Sequence, residues 1–211
     1  MPSDARSFVE TLLEWYRDRG RHGLPWREPD RSPFQLLVAE MLLQRTTAAA
    51  VSGAYAPFVA RYPTPEAVVA ARSDGIEDRI DPLGLSKRAG YIERCSGQLL
   101  DRHAGAVPER RSDLLELHGV GEYTARSVQV HAFGKGVSAA DANVRRLVSR
   151  FFGFEGDPDA VTTLVDAVVP PERSSDFLHA MLDFAAAVCT PRGPDCRDCP
   201  LRAGCESSES R

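Results

Sequence analysis

Ser112-Asp113-Leu114-Leu115-Glu116-Leu117-His118-Gly119-Val120-Gly121-Glu122-Tyr123-Thr124-Ala125 is the stretch on which the reading of the fold turns. Ser112 can cap a short helix running through Leu117. Gly119 and Gly121 permit a tight reversal, and Ala125, Val128 and Ala132 give a second helix one apolar face up to Gly134. This pattern predicts a helix-hairpin-helix. Without side chains at Gly119 and Gly121, the amides of the hairpin and of the next helix start lie open to an anion, and the helix dipole favours negative charge there. A DNA phosphate held at Gly119, Val120 and Gly121 is the natural occupant. An ordinary corner with glycine as C-cap explains Gly-Val-Gly equally well, so other segments must decide.

Downstream, Asp141 precedes Ala142-Asn143-Val144-Arg145-Arg146-Leu147-Val148 and can N-cap that helix. A carboxylate held there accepts backbone hydrogen bonds and suits a group that must stay anionic beside a developing positive charge. Arg145, Arg146 and Arg150 follow as candidates to reach phosphates, with a solvated surface position the plain alternative for at least one of them. Upstream, residues 34–50 read as a long apolar helix interrupted by Glu40 and by Gln44-Arg45-Thr46-Thr47. Glu40 lies among Leu36, Leu37, Val38, Ala39, Met41, Leu42 and Leu43, so nearly any orientation leaves its carboxyl beside apolar neighbours. Burial there would raise its pKa and keep it available as an acid; a solvated groove or an arginine partner is the alternative.

Further helices are expected over residues 5–19, 51–61, 64–72, 87–103 and 175–188, with a turn at Asp81-Pro82-Leu83-Gly84-Leu85-Ser86. No useful run of alternating residues supports a strand, so the protein is predicted to be all-α, without repeats. Its 211 residues, 43% hydrophobic, suffice for one domain or two small ones with a real core. No apolar run approaches the roughly 20 residues of a membrane span, and Met1-Pro2-Ser3-Asp4-Ala5-Arg6 has no signal-peptide core, which predicts a cytoplasmic protein. The net charge of -4 does not argue for nucleic acid, but local patches and backbone amides govern docking more than bulk charge does.

Four of the five cysteines, Cys189, Cys196, Cys199 and Cys205, fall in the final 23 residues as Cys-x6-Cys-x2-Cys-x5-Cys, while Cys95 stands alone as a buried thiol. Disulfides do not suit a reducing cytoplasm, so the cluster suggests a metal centre. Zinc ribbons usually show two Cys-x2-Cys pairs, and this spacing favours an iron-sulfur centre, specifically [4Fe-4S].

With hairpin, acid and cysteine loop in this order, nearly the whole chain resembles the helix-hairpin-helix DNA glycosylases of the endonuclease III superfamily. The resemblance implies two helical domains with a DNA cleft between them. Residues 24–136 would form the central domain with the hairpin, and residues 1–23 plus 137–211 the iron-sulfur cluster domain. It implies that Asp141 is the catalytic aspartate and that Tyr123 stands where bifunctional members carry a lysine. A lysine amine can attack the sugar and form a Schiff base that leads to strand cleavage; a tyrosine cannot. A monofunctional glycosylase follows, with Tyr123 lining the pocket and Glu40 facing the flipped base or the leaving-group water. Its partner would be double-stranded DNA with a mismatched or damaged base, bound by a monomer.

Two subfamilies lack the lysine. Glu40-Met41-Leu42-Leu43-Gln44-Arg45-Thr46-Thr47-Ala48 looks like the thymine or uracil mismatch glycosylases, whereas adenine glycosylases acting opposite 8-oxoguanine more often show Gln-Gln-Thr-Gln. Gly84-Leu85-Ser86 points the same way, since the adenine enzymes tend to have Gly-Tyr-Tyr-Ser, and few residues follow Cys205 to build their additional 8-oxoguanine-reading domain. By similarity of position, Gln44 and Arg45 would fill the gap left by the flipped base and contact the orphaned guanine. His118 replaces the usual proline before Gly-Val-Gly, which loosens the hairpin entry and could add a phosphate contact. Adenine excision and a non-catalytic DNA-structure binder are the competing expectations.

Overall fold

The computed structural model describes residues 3–80, 86–154 and 157–208, and every regular element among them is a helix, as expected. The order is α1 Ser3–Arg19, α2 Pro33–Leu43, α3 Ala48–Arg61, α4 Pro65–Ile80, α5 Ser86–His103, α6 Arg111–Leu115, α7 Glu122–Phe133, α8 Ala142–Phe152, α9 Pro158–Val168 and α10 Ser174–Ala187. No described helix is long and apolar enough to cross a membrane. The chain divides into two compact units, one of Met1–Arg21 with Gly134–Arg211 and one of His22–Phe133.

The unit of residues 22–133 is built around α2. Ser32 starts this helix with a reciprocal capping box, its hydroxyl accepting from the Gln35 amide while the Gln35 side chain accepts from the Ser32 amide. Leu37, Val38, Ala39, Met41 and Leu42 are all buried, so α2 is enclosed on most of its circumference by α3, α5 and α7. Trp26, in the short 3-10 turn Pro25–Arg27, stands edge-on to Tyr55 with ring centroids 5.7 Å apart. Burial pushes the His131 imidazole down to about 3, and the Arg27 guanidinium adds to the shift, so this histidine is neutral.

The single helix expected over 34–50 is two helices. α2 stops at Leu43; Gln44 leaves the helical region at ψ 121° and Arg45 takes the left-handed conformation at φ 56°. A non-glycine residue there costs about 1–2 kcal/mol and cannot propagate a right-handed helix. Thr47 then opens α3, its hydroxyl accepting from the Ala50 amide at 3.3 Å. The cap expected at Ser112 is also displaced. Arg110 holds the N-cap position of α6 without a side-chain bond, and the Ser112 hydroxyl instead donates to Asp113 Oδ1 at 3.0 Å. The turn expected at 81–86 lies outside the described residues except for Ser86, where α5 begins.

In the other unit α1 packs on α10. Phe8 is fully buried, its ring 4.7 Å from that of Phe151 and 6.2 Å from that of Phe177, and Trp15 meets Phe184 at 5.1 Å. Just past α1, the Arg21 amide and Nε donate to the Asp183 carboxylate at 2.8 and 2.7 Å. Asp183 is only 2% exposed, so this charge-assisted pair is what makes its burial tolerable.

Candidate functional site

The hairpin joins α6 to α7 through two turn bonds, from the Leu117 amide to Leu114 O and from the Val120 amide to Leu117 O, both 3.1 Å. Gly119 has φ 82°, which demands glycine, and a Cβ there would also sit tightly at 3.0 Å from Met41 Cε and 3.2 Å from Tyr91 Cβ. Gly121 differs. A Cβ there would meet nothing within 4 Å, and its bareness leaves open space beside the start of α7. His118 does not loosen the entry. Its backbone N–H donates to Gln98 Oε1 at 2.6 Å, a bond that proline could not make, and its ring stands edge-on to Tyr91 at 5.0 Å. Its Nε2 is buried without a hydrogen-bond partner among the described residues.

Gln44 and the hairpin are brought together. The Gln44 side-chain amide donates to Gly119 O at 2.9 Å and approaches Thr124 Oγ1 at 3.4 Å, so it braces the hairpin from the end of α2. Arg45 beside it is exposed. Glu40 is only partly buried, which fits the solvated groove weighed against an enclosed acid. Leu36, Glu40 and Gln44, four apart, are all partly exposed, so Glu40 lies one turn from Gln44 on the same face. Tyr123, second residue of α7, is likewise partly exposed, between Glu122 and the buried Thr124.

Sequence reasoning missed Arg88. This guanidinium on α5 is 7% exposed, and its Nη1 donates to Leu42 O at 2.5 Å, where the last carbonyls of α2 are left unpaired. Burial lowers its pKa, and the nearby Arg45 adds to the shift. Arg88 therefore braces the turn carrying Gln44 and Arg45, and an isolated arginine on a helix gives no sequence signal for it.

In the other unit Asp141 caps α8. Its Oδ1 accepts from the amides of Asn143 and Val144, both at 2.8 Å, and its Oδ2 from the Asn143 side chain at 2.9 Å. The residue is partly exposed, so a fixed carboxylate is presented at a helix start rather than sealed in the core. Two of the arginines read as phosphate ligands are engaged elsewhere. Arg146 donates to Cys189 O at 3.0 Å and to Ala185 O at 2.9 Å, and Arg150 to Thr190 O at 2.8 Å, so both tie α8 to the cysteine segment.

Cys189, Cys196, Cys199 and Cys205 line a single cavity together with Leu147 and Phe184. Arg150 Nη1 lies 3.5 Å from the Cys189 sulfur, and the Cys205 thiol donates to Arg150 O at 3.5 Å. Burial pushes the Cys199 thiol up to about 11, and the charges of the other three cysteines push the same way, so four thiolates gathered here need a cation among them. No group of three or more His, Cys, Asp or Glu among the described residues is arranged to hold a metal ion, whereas all four cysteines are among the residues that line one cavity. A donor set spread around a cavity fits a polynuclear thiolate-held centre better than a single ion. Cys95 is apart from it, buried on α5, with its thiol pushed up to about 12 by burial.

Residues 38–171 match the family model described as HhH-GPD superfamily base excision DNA repair protein. The chain is 37% identical over 204 residues to a thymine-DNA glycosylase of Aeropyrum pernix, covering 92% of this chain and 91% of that protein. It is 38% identical over 196 residues to an adenine DNA glycosylase of Mycobacterium tuberculosis, covering 90% of this chain and 64% of that protein. Among solved structures, a thermostable thymine-DNA glycosylase superposes with a TM-score of 0.92 at 33% identity, over 99% of this chain and 98% of the other.

Proposed function

Because the chain belongs to the HhH-GPD superfamily of base excision DNA repair proteins, we propose that it is a monofunctional glycosylase that excises thymine or uracil mispaired with guanine. The observation that carries the choice of base is the likeness to a thymine-DNA glycosylase over 92% of this chain and 91% of that protein. The Gln44-Arg45-Thr46-Thr47 turn supports it from the sequence.

The target base must leave the stack to be reached, and a mismatched pair costs less to open. The hairpin at Gly119, Val120 and Gly121 holds a backbone phosphate on its amides and on the start of α7. Gln44 and Arg45 occupy the gap and meet the orphaned guanine, their turn held in shape by Arg88 and by the Gly119 carbonyl. As the N-glycosidic bond breaks, its electron pair leaves with the base and positive charge develops on the sugar. The Asp141 carboxylate, fixed by three hydrogen bonds, stabilises that charge without reorganising. Water then adds its oxygen to C1′ and gives up a proton, leaving an abasic site. Glu40 acts toward the base or that water. Tyr123 lines the pocket and has no amine with which to attack the sugar.

Cys189, Cys196, Cys199 and Cys205 would hold a [4Fe-4S] cluster, which supplies a structural clamp on the loop that Arg146 and Arg150 tie to α8. Protein purified without chelator should contain about four iron atoms and four acid-labile sulfides per chain. Zinc in their place would overturn that assignment.

Single-turnover base release on duplexes carrying T opposite G, U opposite G, A opposite G and A opposite 8-oxoguanine tests the activity. Thymine or uracil should be released opposite guanine, with strand breaks only after alkali. Adenine release would install the second reading, which the 38% identity to the mycobacterial adenine glycosylase favours. No release from any duplex would leave a DNA binder.

A further inference from the structure

Glu122 is an awkward neighbour for a phosphate-binding hairpin. It is the first residue of α7, directly after Gly121, where backbone amides and the helix dipole invite an anion and a resident carboxylate repels one. Arg111, first residue of α6, meets it: Nε donates to Oε1 at 2.7 Å and Nη2 to Oε2 at 2.5 Å, a bidentate pair across the hairpin. Arg126, one turn further along α7, is the other cation acting on Glu122. Both side chains of the pair are 50% exposed, and a surface pair of this kind adds little to stability. Folding is therefore a weak reason for it. The space beside Gly121 is open, so a phosphate approaching there comes within reach of the Glu122 charge.

Resting on the reading of the hairpin as the DNA-phosphate site, we infer that Arg111 is a positioning residue that neutralises Glu122 and keeps the hairpin receptive to the DNA backbone, rather than a phosphate ligand itself. The consequence differs for each partner. Removing Arg111 exposes the DNA to an uncompensated carboxylate, and removing Glu122 releases a guanidinium beside a phosphate.

A double-mutant cycle read by equilibrium binding to a duplex with and without the G·T mismatch, at several salt concentrations, tests this. Arg111→Gln should weaken binding to both duplexes about fivefold, the order of one charge acting on another at contact distance in water. Arg111→Lys should restore most of the loss. Glu122→Gln should tighten binding and steepen the salt dependence by about one unit of slope, through the freed arginine. The double variant should return close to wild type, with melting temperatures unchanged throughout. A double variant as weak as Arg111→Gln would make Arg111 a direct phosphate ligand and overturn the inference. Unchanged affinities of both Arg111→Gln and Glu122→Gln in a protein that binds DNA would also overturn it, leaving the hairpin assignment intact, whereas failure of the wild type to bind either duplex would remove both.

Discussion

Asp141→Asn should abolish base release, by about 10²–10³-fold or more, while leaving affinity for the substrate duplex intact. The substitution isolates charge from structure because asparagine is as good an N-cap as aspartate. Its carbonyl can keep both backbone amides of Asn143 and Val144. The new side-chain NH2, however, faces the Asn143 Nδ2 that now donates at 2.9 Å, donor against donor. Asn143 must turn its amide, which sacrifices the bond from Arg146 Nη1 to Asn143 Oδ1. That loss costs about 1 kcal/mol and lowers the melting temperature by about 2–4 °C in a chain of this size, too little to unfold it. Single-turnover release beside a binding titration and a melting curve reads all three quantities. A rate within tenfold of wild type would make Asp141 a helix cap and nothing more. Parallel loss of binding would place its effect in the fold.

How far such a site is legible in sequence depends on whether its residues act locally. Asp141 was readable as a cap because an N-cap acts two and three residues ahead, and Asn143 and Val144 are where the bonds fall. The glycines were readable for the same reason, although the structure separates them: Gly119 is required by its φ and has close neighbours, and Gly121 has neither constraint. The four cysteines were readable from spacing, and they do line one cavity. The break in the supposed long helix at Gln44–Thr47 also has a local signal, a threonine three residues before Ala50, but Leu42 and Leu43 before it and Ala48 to Ala50 after it continue the apolar pattern and conceal it.

The arginines were not legible. Arg146 and Arg150 read as a basic face beside Asp141, yet their partners are carbonyls 39–43 residues away in α10 and the cysteine segment, and nothing in the local pattern distinguishes a guanidinium spent on backbone from one offered to phosphate. Arg88 is the same case across 46 residues. At His118 the advantage over proline lies in the backbone, an N–H that meets Gln98 from another helix, which no local pattern reveals. The apolar neighbours of Glu40 are plain in the sequence, but which face of α2 stays partly open depends on how α3, α5 and α7 close around it.

Tyr123→Lys should convert the enzyme from one that leaves an abasic site into one that also cuts the strand. Position 123 is the second residue of α7, partly exposed, and lysine is a better helix former than tyrosine, so the backbone is not disturbed. The new amine, in its neutral form, can attack C1′ as the base departs. The nitrogen–carbon bond that forms replaces the glycosidic bond, ring opening yields an imine, and elimination breaks the bond to the 3′ phosphate. Borohydride reduces the imine to a stable amine, so a covalent protein–DNA band should appear with the variant and be absent with wild type. Strand breaks should likewise appear without alkali only in the variant. Trapping by the wild-type protein would show that another amine already does this work and would remove the monofunctional assignment. Continued base release by the variant, without trapping or strand breaks, would mean that residue 123 does not face C1′, and Tyr123 would then be a packing residue whose resemblance to the lysine of bifunctional enzymes is positional only.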